Sequence, residues 1–97
     1  YLALIRASSH KKDYTWDFLN SANQIIEEEK LNDVNIMGPV SAPMERKAGK
    51  YRGQLLLHCE NRKSLHQQIS SFIKKIERNK STHRVKWSVD IDPIELF

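Results

Sequence analysis

The sequence has little that would supply chemistry or cross a membrane. It has one cysteine, Cys59, which cannot close an internal disulfide; that fits a reducing compartment, and its place at the end of an apolar run suggests a buried thiol. There is no Gly-rich phosphate loop, no Gly-x-Ser-x-Gly and no paired carboxylates beyond Asp90 and Asp92, so nothing builds a catalytic site. His58, Cys59 and His66 lack a further ligand at metal spacing, and neighbouring strand residues point to opposite faces, so no metal site is expected. Apolar runs are only strand-length, which excludes a spanning helix. The chain opens on Tyr1-Leu-Ala-Leu-Ile with no initiator Met and no leader-like segment, as a fragment of a longer protein would.

What is present is charge, unevenly placed. The 97 residues carry a formal net charge of +4, enough length for one two-layer domain over 1–97. Asp13, Asp17, Glu27, Glu28, Glu29 and Asp33 lie within residues 13–33 against Lys30 alone. Residues 62–86 hold eight Lys or Arg against Glu77. Such segregation suits a polyanionic partner on one side of the molecule.

Hydrophobic spacing gives the order of elements. Tyr1–Ala7 reads as a strand, near-continuously apolar and hence buried between neighbours. Asp13 is placed to cap a helix running to about Leu31, with Tyr14, Phe18, Ala22, Ile25 and Ile26 as its apolar stripe. Val34 and Ile36 open a short strand ending at Pro39, and a loop is expected from there to about Lys50, because Pro39 and Pro43 cannot donate to a ladder. Tyr51–Cys59 extends again. Asn61 caps a second helix ending near Arg78, with Leu65, Ile69, Phe72, Ile73 and Ile76 on one stripe. Val85, Trp87, Val89 and Ile91 alternate with Arg84, Lys86, Ser88 and Asp90 in a last strand stopped at Asp92-Pro93.

Strand, helix, strand, strand, helix, strand closes most simply as a split βαβ, a ferredoxin-like α+β sandwich. Four antiparallel strands would carry both helices on one face and leave the other face open.

The segment from Gly38 to Cys59 concentrates cations. Arg46, Lys47, Lys50 and Arg52 fall within seven residues, each able to hold a phosphate, the arginines bidentately. Tyr51 either stacks on a base or packs inward with Leu55 and Leu57. Arg62 and Lys63 stand at a helix start, the unfavourable end for cations, and with free N–H groups there they would receive an anion. That anion is either a DNA phosphate or the carboxylates of an acidic peptide. Arg84 and Lys86, with Arg52, Gln54 and His58, would form a basic strip if the third and last strands share a sheet, and Arg6 on the first strand would bridge them. Trp87 reads as core, and no RNP-type Gly-Phe-aromatic pattern supports an RNA-recognition module.

The residues also carry a resemblance. Asn35–Ile69, NIMGPVSAPMERKAGKYRGQLLLHCENRKSLHQQI, and His83–Phe97, HRVKWSVDIDPIELF, resemble the C-terminal domain of the bacterial replication-restart helicase PriA. There a GP-x-x-AP-x-x-R-x-G-x-(Y/W)-R-x-Q-(L/I)-L-L run and a terminal V-(R/K)-W-x-(L/V)-D-(V/I)-DP run recur; the opening LALIRA matches too. The resemblance implies a non-catalytic DNA-binding and docking domain of a bacterial, cytoplasmic, nucleoid-associated helicase. It implies single-stranded and forked DNA as ligands, with the acidic tail of single-strand DNA-binding protein and the helicase lobes of the same chain as partners. ATP, Mg and Zn would belong to other domains of the parent, leaving no cofactor here.

Overall fold

A computed structural model describes residues 1–29, 34–47 and 49–92, apart from the side chains of residues 42–47, Lys80 and Ser81. The expected helix end at Leu31 and the tail from Pro93 to Phe97 lie outside the described residues.

Six principal elements follow in the expected order. They are β1 (Leu2–Ser9), α1 (Lys12–Glu29), β2 (Val34–Lys47), β3 (Lys50–Cys59), α2 (Arg62–Ile76) and β4 (Lys86–Ile91), with a 3-10 turn over Lys80–Arg84 before the last strand. The strands form one sheet in the order β2-β3-β1-β4, every neighbouring pair antiparallel. This is the ferredoxin-like arrangement expected from the element order.

Period-two alternation divides the sheet into two faces. Ala3, Ile5 and Ala7 of β1 and Leu55, Leu57 and Cys59 of β3 join Phe18, Leu19, Ala22 and Ile26 of α1 and Leu65, Ile69, Phe72 and Ile76 of α2 in one core. Trp87 of β4 packs its indole near Phe18 and Phe72, with centroids 5.8 and 6.2 Å away. These are separations at which aromatic pairs add about 0.5–1.5 kcal/mol beyond area burial. Both helices therefore cover one face, and the alternate residues Arg6, Ser8, Arg52, Gln54, Lys86 and Ser88 belong to the other.

Three local expectations change. The segment after Pro39 is strand rather than loop, because β2 runs on to Lys47 and pairs with β3 up to Lys47 opposite Lys50. Its prolines are tolerated since β2 is a sheet edge and its register slips between Met37 and Val40 and again between Ser41 and Arg46. Gly38, before Pro39 in a cis peptide, has φ +104°, and a Cβ there would lie 3.0 Å from the Val40 nitrogen, so glycine suits the bulge.

The stripe of α1 is rotated from the expected one: Thr15 and Leu19 are buried with Phe18, Ala22 and Ile26, while Tyr14 and Ile25 are half-buried. Leu19 reaches β3 where Gly53 leaves room; a Cβ on Gly53 would stand 2.4 Å from Leu19 Cδ1. Lastly, Arg84 closes the 3-10 turn, and β4 begins at Lys86.

Candidate nucleic-acid interface

The open face of the sheet is not uniform. Toward β2 it is apolar: Met37 and Val40 are 46% and 49% exposed, opposite Leu56 and Gln54 of β3. Leu4 on β1, between Leu56 and Asp90 in register, is fully buried although it faces away from the helices. Toward the other end of β1, β3 and β4 the face becomes basic.

There a groove of about 330 Å³ opens, lined by Arg6, Ser8, Lys50, Arg52, Gln54, Lys86 and Ser88 over a floor of Ala7, Gly53 and Trp87. Register explains the convergence. Arg6 stands between Gln54 and Ser88, and Ser8 between Arg52 and Lys86, so one face of three adjacent strands, roughly 10 Å across, presents four cations. No carboxylate is among the described lining residues. Two hydroxyls and an amide add hydrogen-bonding capacity of the kind that positions phosphate oxygens.

The core holds these side chains in place. Thr15 Oγ1 donates to the Tyr51 carbonyl oxygen at 3.0 Å, tying α1 to β3 between Lys50 and Arg52. Trp87, clamped by Phe18 and Phe72 beneath the sheet, fixes its neighbours Lys86 and Ser88 above it. Arg6 Nη1 lies 3.2 Å from Asp90 Oδ2, a diagonal pair across β1 and β4 at the rim of the groove.

The sequence-derived residues are thus only partly brought together. Lys50, Arg52 and Lys86 meet in the groove with Arg6. Arg46 and Lys47 occupy register positions opposite Tyr51 and Lys50, and their side chains lie outside the description. Tyr51 is half-buried and alternates with the groove residues, sharing the helix-facing side with Gly53 and Leu55. Arg84 is turned to the helix layer, its guanidinium 4.9 Å from the Tyr14 ring centroid on α1, a cation–π separation. Lys75 of α2 likewise engages α1 through an ion pair with Glu29.

Arg62 and Lys63 lie beyond Cys59, at the opposite end of β3 from Lys50, about 30 Å away at the usual strand rise. Both are exposed. Asn61 Oδ1 accepts from the backbone N–H groups of Lys63 and Ser64 at 2.9 and 3.3 Å, and Arg62 Nε donates to His66 Nε2 at 3.5 Å. Part of the anion-binding capacity of this helix start is therefore taken by its own cap.

Ser8 and Ser88 are groove residues that the sequence reading does not single out, whereas Gln54 belongs to the expected strip. The available signal was parity, since each alternates with a core residue on a strand that also carries a groove cation. Among the described residues, no group of three His, Cys, Asp or Glu is arranged to hold a metal ion, and no described helix is long and apolar enough to cross a membrane. Cys59 is buried, its Sγ accepting from the Asn61 N–H at 3.3 Å.

Residues 1–94 match the family model described as the primosomal protein N C-terminal domain. The chain belongs to that family. Among curated proteins it is similar to the replication restart protein PriA of Haemophilus influenzae, 29% identical over 97 residues, covering 99% of this chain and 13% of that protein. The protein of the same name from Buchnera aphidicola is 28% identical, covering 96% of this chain and 13% of that protein. The chain thus spans about an eighth of the length of these PriA proteins. Among solved structures, the designed protein Foldit4 superposes with a TM-score of 0.65 at 10% identity, covering 92% of this chain and 91% of that one. A hydantoinase/carbamoylase family amidase from Burkholderia ambifaria gives 0.52 at 9% identity, covering 92% of this chain and 26% of that one. At such identities the likeness to the two structures is one of fold alone.

Proposed function

We propose that this PriA C-terminal domain binds DNA through the basic groove on the open face of its sheet. It would serve as a non-catalytic module that helps a bacterial replication-restart helicase engage single-stranded and forked DNA at stalled forks in the nucleoid. The observation that carries this reading is the meeting of Arg6, Lys50, Arg52 and Lys86, from three strands, around a groove with no acidic residue among the described residues of its lining. Cations held by a folded sheet face offer a polyanion fixed positive charge, and phosphate contacts of this kind give affinity without sequence preference. The described aromatics Tyr51 and Trp87 belong to the helix-facing side, so the groove grips backbone rather than stacking bases.

The test is fluorescence anisotropy of the chain with single-stranded and forked oligonucleotides across a salt series. Three or four neutralised phosphates predict a slope of log affinity against log salt of roughly −2 to −3 on single strands. Arg52→Ala combined with Lys86→Ala should weaken binding about tenfold or more and flatten the slope by roughly 1.4, at ~0.7 per phosphate. Binding absent at low salt, insensitive to salt, or untouched by the double substitution would overturn the reading.

A second reading assigns Arg62 and Lys63 to the acidic tail of single-strand DNA-binding protein or to the helicase lobes. Their exposure and distance from the groove support a separate site; the use of two N–H groups by Asn61 weighs against it. Reversing both charges should abolish peptide binding and leave DNA affinity intact if the two sites are distinct.

A further inference from the structure

Just outside the groove, Asp90 is an acid placed against a cation that lines it. Arg6 sits on the central strand β1, and its Nη1 is 3.2 Å from Asp90 Oδ2, with the two side chains 35% and 43% exposed. The pairing is diagonal: Arg6 is directly opposite Ser88, and Asp90 directly opposite Leu4. The Arg6 guanidinium is therefore drawn along the face toward the apolar end, away from Ser8, Arg52 and Lys86.

We infer that Asp90 sets the affinity of the groove for nucleic-acid backbone by holding Arg6 as an internal counter-ion that an incoming phosphate must displace or share. The inference rests on the groove being the DNA site. A guanidinium offers five N–H donors in a planar fork and prefers bidentate anions, so a carboxylate and a phosphate compete for the same edge. The pair is partly exposed and worth little by itself, so the competition is mild and the expected gain on its removal is limited to about two- to fivefold. Asp90 is a positioning residue, acting on the ligand through Arg6.

The experiment measures DNA affinity and its salt slope for the chain and for Asp90→Asn, alone and in an Arg6→Gln background, with Asp90→Ser as a second replacement of different size. Asp90→Asn and Asp90→Ser should each tighten binding about two- to fivefold and steepen the slope by roughly 0.7, the signature of one more phosphate neutralised. In the Arg6→Gln background neither replacement should change affinity. Unchanged or weaker binding by both replacements would overturn the inference, as would a gain that persists without Arg6, which would reduce Asp90 to a general charge effect. The underlying reading fails separately: if Arg52→Ala with Lys86→Ala leaves DNA binding intact, the groove is not the site and the role of Asp90 falls with it.

Discussion

Two basic clusters stand at opposite ends of β3, and they are built differently. At the α2 start, Arg62 and Lys63 are adjacent in sequence, exposed, and served by a helix whose first N–H groups Asn61 already satisfies in part. At the groove, the cations come from positions 6, 50, 52 and 86 and meet only because β1, β3 and β4 are neighbours in register. A run of cations in sequence can be a solvated surface, whereas convergence from distant segments requires the fold. For that reason the groove, more than the helix start, is the place to expect a polyanion.

The sharpest way to break this comparison is to loosen the strand that only the groove depends on. Trp87→Ala removes the ring that packs between Phe18 and Phe72 under β4. For a half-buried indole this should cost about 2–4 kcal/mol of stability. Thermal unfolding checks the loss, and DNA affinity should fall with it as Lys86 and Ser88 lose their fixed positions. The cap at α2 should be unaffected, its amide signals for Lys63 and Ser64 staying where they are. If DNA binding survives in the folded variant, the groove does not depend on β4 as argued.

A smaller effect sharpens the other side. Asn61→Ala removes the acceptor of two N–H groups at the α2 start and should lower stability by about 1 kcal/mol. In a domain this size that is a fall in Tm of roughly 4–8 °C, while groove-dependent DNA affinity should not change. Weakened DNA binding in the folded variant would mean that the two clusters are one surface.

The same contrast explains what was legible in the sequence. Element order, the Asn61 cap and the α2 stripe could be read because each depends on residues close in the chain, and the order then fixed the neighbours of β1. The continuation of β2 past Pro39 could not, because Pro39 and Pro43 signal a break unless edge position and register slips are known, and both are tertiary facts. Thr15 and Leu19 were missed because burial of a threonine follows from the Tyr51 carbonyl above it and that of Leu19 from the missing side chain at Gly53. Arg84 was placed on the strand since it continues the alternation of Lys86 and Ser88, and the 3-10 turn with Tyr14 beside it is visible only in the fold. Of the groove, the strip of Arg52, Gln54 and Lys86 bridged by Arg6 was readable from parity and element order; the place of Lys50 beside them needed β3 to begin at Lys50, and the Arg6–Asp90 pair needed the β1–β4 register.

The smallest expected effect concerns charge that the fold uses for itself. Glu29 ends α1, where the helix dipole disfavours an acid, yet its carboxylate accepts from Lys75 Nζ and Ser71 Oγ on α2. The hydrogen bond from Lys75, followed by that from Ser71, lowers its pKa below the usual carboxylate value. A depressed folded pKa means that the unfolded chain takes up the proton first as pH falls. The stabilisation is therefore fully present above the ordinary glutamate range and is lost as pH drops through the lowered folded value. Because the group is exposed, salt should weaken it as well. In thermal melts between neutral and acidic pH, Glu29→Gln should be slightly less stable than the parent at neutral pH and should converge with it in acid. DNA affinity should be the same for both, since this pair locks helix to helix on the layer away from the groove. A Glu29→Gln variant that bound DNA more tightly would instead place Lys75 among the cations that meet the polyanion, and the division between structural and ligand-facing charge would have to be redrawn.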